Sequence, residues 1–586
     1  MELKKRKKLI IGILIAVVVL IVAVPLIVLG VSKAFTAQES VVRTDWEFET
    51  GDTIGENAQE GVTYAEAELG DGLRAVQLIP DGIDEEGFTY YDTGVQERLA
   101  GALDSLKASM TWTATTPLAV LNPFGTASNE LYLYFQTDVA TKVSYTIHVE
   151  DEDIPDYTAY AADVSGQEYS RIHEFQIIGL VPGETNQVTM TISGSWGNAR
   201  QIVSFTVEMP ETRSGYATKL EVTDGSSDAA QAGGLFAMMR VNGYLGYGFF
   251  YDNDGILRYE MVLEGYGLDR MLFDGDEIIT CVSSSKLARI NGLGQVTRVY
   301  DLEGYELHHD IGFGADGEVL ALAEEVDGET VEDRVLSIDL ESGAVSEILD
   351  FTQVMQGYFA MTRPVTPTDD FFWQAGEWDW IHLNSLQYMP EDDSLIVSSR
   401  ETSTIIKVTG IHSQPAVDWL AGDSRFWADT PYADLCLTQV GDFVPQYGQH
   451  CVELLAQEGD GVYTLVLYNN NYWSLNTRDD FEMEVADTVG TDLYGDGSET
   501  SQVYIYRIDE NARTFELADS FDVPYSSIVS DGVHCDNSDN WVVNSGVSMV
   551  FGEYDPEGVL IREYKYDCTM QNYRTFKYDM TGFWFG

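Results

Sequence analysis

Basic side chains are scarce in this chain: 33 lysines and arginines face 96 aspartates and glutamates, for a formal net charge of −63. Binding nucleic acid requires cations against the phosphates, so that partner is excluded. The balance fits instead a soluble outer-surface protein whose copies repel one another. Cysteine is scarcer still. Five cysteines do not make a disulfide framework, and the absence of any C-x-x-C pair removes a zinc ribbon. Cys436 and Cys451 flank the region of His450 and are the candidate pair; the alternative is reduced, mostly buried thiols. No cysteine stands where a lipid attachment would need one. Helical periodicity of useful length is missing beyond residue 31, and there are only eight histidines. Abundant aromatics and glycine with modest proline mark a globular composition.

One long hydrophobic run is present, over residues 9–31. Lys4, Lys5, Arg6, Lys7 and Lys8 precede it. At about 1.5 Å per helical residue the run can cross a bilayer core. A basic flank stays inside, so the expectation is a cytoplasmic segment over 1–8 and a transmembrane anchor over 9–31. The rest of the chain is then extracytoplasmic, held at the cell membrane by a single pass. A cleaved signal peptide is the competing reading, with Ala34-Phe35-Thr36-Ala37 as a weak cleavage site.

Residues 32–213 read as a β-sandwich with its linker. Near-alternating strands are predicted at 130–136, 143–149, 175–178 and 187–192, with Val181-Pro182-Gly183 as a turn. His148 and His173 in this half are expected to be structural. From residue 214 to 586 a strand, polar turn and strand recur six times. The hairpins span 249–259, 287–300, 335–349, 404–420, 503–520 and 550–564. Turns such as Asp252-Asn-Asp-Gly255 supply the positive φ that tight hairpins need. Such repeats predict a β-propeller. The fold class is therefore all-β.

Three of the scarce histidines recur in one pattern. Each of His309, His382 and His450 is followed at the fourth position by an apolar residue (Phe313, Leu386, Leu454), then a polar turn and an apolar strand. Side chains alternate along a strand, so this register selects His309 and points His308 elsewhere. Residues at one position of successive blades line the same channel, so the three imidazoles are expected to converge. An imidazole can act as a nucleophile or carry a proton near neutral pH. Arg400 offers a planar, permanently charged fork for an oxyanion. Asn384, two residues after His382, is placed to donate from the same side. Together they suit transfer of a phosphoryl or sulfuryl group. Three histidines also suit a metal, but an arginine at the same site disfavours a bound cation, and no carboxylate spacing marks a Mg²⁺ site.

These residues carry a resemblance to the bacterial aryl-sulfate sulfotransferases that do not use the nucleotide sulfate donor. The strongest match is His382-Leu-Asn384 with Asp393-Ser-Leu-Ile-Val-Ser-Ser-Arg400. His308-His309-Asp310 with Asp316-Gly317 and Gly448-Gln449-His450 with Leu454-Leu455 follow in order. Asn122-Pro-Phe-Gly125 and Gly179-Leu-Val-Pro-Gly183 with Asn186 resemble the family's N-terminal Ig-like domain. The resemblance implies a six-bladed propeller, phenolic sulfates and phenols as partners, and ping-pong transfer without a cofactor or metal. It implies His450 as the nucleophile that becomes sulfated. His309, His382 and Arg400 would grip the sulfuryl oxygens, and Asn384 would help to orient the site. His382 and His309 both stay open as the proton donor. Where family members often carry Phe-Asp-Asn after the nucleophile, this chain has Leu467-Tyr468-Asn469-Asn470, and an insertion lengthens the turn at 457–461. A surface propeller that only binds sulfated or phenolic ligands, and a hydrolase using water, are the alternative functions. A homodimer stays open.

Overall fold

Alternation of apolar and polar side chains writes the first strands. The computed structural model describes residues 38–39 and 60–586, apart from 71–74, 84–88, 196–198, 268–269, 480 and 568–570. The expected anchor over 9–31 and its basic flank lie outside the described residues. Among the described residues no helix is long and apolar enough to cross a membrane.

The N-terminal half is organised by one long strand, Leu131–His148. Its first part pairs with Leu118–Leu121 and Ser170–Ile177, and its second part with Thr185–Gly194 and Tyr157–Tyr160. The expected sandwich strands are thereby linked into one connected sheet. A 17-residue helix, Thr93–Ser109, packs on it and corrects the expectation that no useful helix follows residue 31. Val95, Leu99, Ala102, Leu103 and Leu106 are buried at the 3.6-residue period, and Asp92 caps the first turn by accepting from Val95 N at 2.9 Å. This half seats on the propeller through polar contacts. Thr126 Oγ1 donates to Gly294 O (2.6 Å), and Gln96 Oε1 accepts from Val296 N (3.1 Å).

The second half is a six-bladed propeller, as expected. Blade 3 runs from Tyr305–Phe313 to Val345–Asp350, blade 4 from Leu383–Met389 to Ala416–Ala421, and blade 5 from His450–Gly459 to Thr514–Val523. Each of the six predicted hairpins is the last strand pair of a blade. The ring is closed twice. Glu221–Asp224 joins the outer edge of blade 6 by pairing with Leu560–Lys565. Phe576–Tyr578 supplies a strand to blade 1 beside Leu235–Asn242. The second closure carries the segment just before Phe576 toward the inner strands of blades 3 to 5.

The candidate pair Cys436 and Cys451 is not bonded; both are free thiols. Cys451 is buried in the apolar cluster around Phe576, whereas Cys436 rests against the cluster around Trp427. The two sulfurs therefore belong to different cores.

Candidate functional site

The inner strands of blades 3, 4 and 5 all break their pairing at one end. Register shifts fall between Leu307 and Ile311, between Leu383 and Ser385, and between His450 and Glu453. At these breaks His309, His382 and Cys451 take positive φ of 59°, 48° and 54°. Such backbone is costly for residues other than glycine and persists only where the surroundings enforce it. His309 and His382 thus share a backbone setting, while His450 sits one residue before the equivalent position.

The side chains still converge. The rings of His309 and His382 lie 4.9 Å apart, and Tyr573 is flanked by His309 at 5.0 Å and His450 at 6.1 Å. His382 and Arg400 meet through Asp379, whose Oδ2 accepts from His382 Nδ1 (2.7 Å) and Arg400 Nη2 (3.0 Å). The Arg400 guanidinium also lies over the Phe371 ring at 4.4 Å. His308 is not turned away as strand alternation predicted. The bulge after Leu307 cancels that alternation, and His308 Nδ1 lies 2.8 Å from His309 Nδ1. Asn384 is fully buried, and its Nδ2 donates to Gln449 O at 2.8 Å. It therefore holds the residue before His450 and does not reach across to the His382 ring.

Three residues to which the sequence reading gave no role complete the site. Asn470 Oδ1 accepts from His450 Nδ1 at 2.8 Å, joined by Gly448 O at 3.0 Å. The Asn470 amide is itself oriented, because its Nδ2 donates to Ser526 O and Val529 O. Two acceptors on Nδ1 fix the tautomer with the proton there and leave Nε2 with the lone pair. Tyr573 donates to Asn384 O at 2.7 Å. Arg574 donates to Asn384 O and pairs with Asp310, both at 2.9 Å. Asn470 directly follows Val462–Asn469, the strand that pairs with the nucleophile strand, and its place in the motif region after the nucleophile is the signal that could have marked it.

Burial sorts the three histidines by charge. It drives His450 well below the ordinary histidine range; Asn470 opposes this, while His382 and Arg400 reinforce it. His309 is pushed the same way by burial and then by His382, His308, His450 and Arg574. His382 goes up, to about 9: burial and Arg400 resist the charge, but Asp379 and Glu332 outweigh them. At neutral pH the site therefore holds a neutral His450, a neutral His309 and a protonated His382 beside Arg400.

Two groups have the composition of a metal site: His308, His309 and Glu332, and Glu332, Asp379 and His382. In the second, His382 Nδ1 donates to Asp379 Oδ2 at 2.7 Å and forms an ion pair with Glu332; in the first, the Nδ1 atoms of His308 and His309 lie 2.8 Å apart.

Replacing Asn470 with Leu should slow any reaction at His450 Nε2 by roughly 10-fold or more, because the imidazole loses the partner that fixes its tautomer, and should cost about 1–3 kcal/mol of stability for each of the Ser526 and Val529 carbonyls left without a donor. Steady-state rates alongside thermal unfolding check this.

The family model for arylsulfotransferase matches residues 221–580, and that for the arylsulfotransferase Ig-like domain matches 118–210. The chain is 27% identical over 135 residues to arylsulfate sulfotransferase AssT of Escherichia coli O6:H1, covering 19% of this chain and 22% of that protein. It is 26% identical over 122 residues to AssT of Lelliottia amnigena, covering 17% and 20%. The chain thus spans about a fifth of the length of these curated relatives. Among solved structures it resembles a putative 6-phosphogluconolactonase of Bacteroides uniformis at 10% identity and a TM-score of 0.31, over 74% of this chain and 98% of that one.

Proposed function

The chain belongs to the arylsulfotransferase family, and from that premise we propose that it moves a sulfuryl group from an aryl sulfate to a phenol through a sulfated His450. The observation that carries this reading is the hydrogen-bonding of His450. With Nδ1 donating to Asn470 and Gly448, a neutral Nε2 lone pair is fixed in place in the field of three cations, His382, Arg400 and Arg574.

The sulfate ester enters with its sulfuryl oxygens toward Arg400 and His309. The S–O bond to the phenol breaks as the bond from sulfur to His450 Nε2 forms. Charge grows on the departing phenolate oxygen and is cancelled by the proton of His382 Nε2. In the second half an acceptor phenol returns its proton to the neutral His382 as its oxygen attacks sulfur. The bond from sulfur to Nε2 then breaks, and the site is restored. Nothing in this sequence calls for a cofactor. Asn384, Tyr573 and Arg574 act on the backbone that presents His450 and the floor beside it. Residues 9–31 are proposed to anchor this chemistry outside the membrane.

A chromogenic aryl sulfate supplied with and without a phenol tests the reading. Release of the donor phenol should rise several-fold with acceptor, and the acceptor should leave as its sulfate ester. Release that ignores the acceptor, with free sulfate as product, would identify a hydrolase. Binding without any release would identify a ligand-binding propeller.

A further inference from the structure

Two carboxylates meet on one nitrogen at the centre of this site, and the residue match to the family assigned neither. Glu332 comes from the loop between Glu318–Glu325 and Arg334–Asp339, and Asp379 from the connection between blades 3 and 4. Both pair with His382 Nδ1, Asp379 at 2.7 Å. Asp379 Oδ2 is held by two further donors, Arg400 Nη2 at 3.0 Å and Gln374 Nε2 at 3.3 Å. The backbones are clamped as well: Leu383 N donates to Glu332 O at 3.1 Å. Glu332 takes a φ of 55° and His382 one of 48°, so both partners of this contact sit in the strained left-handed region.

We propose that Glu332 and Asp379 are positioning residues that grip His382 Nδ1, so that Nε2 is presented with its proton to the leaving phenolate. This rests on the transfer reading. Charge balance supports it. Glu332, Asp379 and Arg400 sum to one negative charge in a site shielded from water, and Glu401, buried 3.9 Å from Arg400 with its carboxyl pushed up to about 7 by burial, can only add to it. A protonated His382 cancels it, whereas a neutral one leaves a carboxylate uncompensated. The other groups facing His382 do not supply that charge. His308, His309 and His450 are all held toward the neutral form, and Glu377 adds only a weaker negative field. His309 has no such grip, since its nearest carboxylate, Glu332, lies 3.9 Å from Nδ1. The structure therefore separates the two candidates for the acid: His382 gives the proton, and His309 contacts the sulfuryl oxygens.

Glu332 is the residue to vary, because its side chain is 18% exposed while Asp379 is fully buried. In the full chain, Glu332→Gln should lower kcat/KM for unactivated phenyl sulfate roughly tenfold, a part of the 10²–10⁴-fold that general acids supply. For 4-nitrophenyl sulfate, whose phenolate leaves without help, the change should stay within roughly threefold. The alkaline limb of the rate should move down from about 9, and Glu332→Asp should restore part of both effects. With only eight histidines, His382 can be followed directly by nuclear magnetic resonance of labelled imidazoles in the absence of substrate. Its titration should fall in Glu332→Gln. The titration needs no turnover, so failure of the transfer reading shows in the assays alone and the titration still decides the grip. An equal loss on both donors with an unmoved His382 titration would overturn the proposal. So would activity that is lost to a chelator and restored by a divalent cation.

Discussion

Replacing His450 with Asn is expected to lower transfer from aryl sulfate to phenol by about 10³-fold or more, since losing the nucleophile of a covalent enzyme costs up to about 10⁶-fold. Asparagine nearly fills the space and keeps a polar head for Asn470 and Gly448, so the buried hydrogen bonds survive. What it lacks is a lone pair on nitrogen aimed at sulfur. The loss should be of the same size with good and poor leaving groups, because the bond that fails to form is common to both. Thermal unfolding should stay close to that of the native chain. An unchanged rate with unchanged folding would remove His450 from the reaction.

The second large effect concerns Arg400. Its guanidinium is fixed by Asp379 at 3.0 Å and by the face of Phe371 at 4.4 Å, leaving little freedom to reorganise as charge develops. A lysine keeps the charge but offers a compact point on a flexible stem. Arg400→Lys is therefore expected to cost roughly 10²–10³-fold in kcat, the scale of losing one preorganised donor to an oxyanion. Arg400→Gln adds a sign that separates roles. Arg400 opposes protonation of His382, so removing its charge should move the alkaline limb upward from about 9 even as the rate falls. Glu332→Gln moves that limb downward. If both variants shift it the same way, the coupling through Asp379 is not what sets His382.

The parts of the molecule that repeat were legible in the sequence. Turns such as Asp252-Asn-Asp-Gly255 and Asp555-Pro-Glu-Gly558 enforce hairpins locally, so one hairpin in each of the six blades could be placed without tertiary information. The three histidines showed because each opens the same short pattern. The helix Thr93–Ser109 was also legible, through Asp92 and the spacing of Val95, Leu99 and Leu106, but the surrounding strand pattern masked it. His308 was misjudged because strand alternation was applied across a bulge that cancels it. Asn470 was visible only as part of a departure from the family's motif, and Tyr573, Asp379 and Glu332 carried no pattern at all. Tyr573 reaches Asn384, 189 positions earlier, only because the propeller closes on itself. Asp379 and Glu332 lie on connecting loops, where composition says little about direction.

The central claim is a covalent sulfuryl group on His450, and intact-protein mass after rapid quench with donor alone tests it most directly. The native chain should gain the mass of one sulfuryl group per molecule, located at His450 by fragmentation. It should return to its starting mass when a phenol is added, while His450→Asn stays unmodified. A native chain that releases phenol from the donor yet shows no added mass at any quench time would contradict the account.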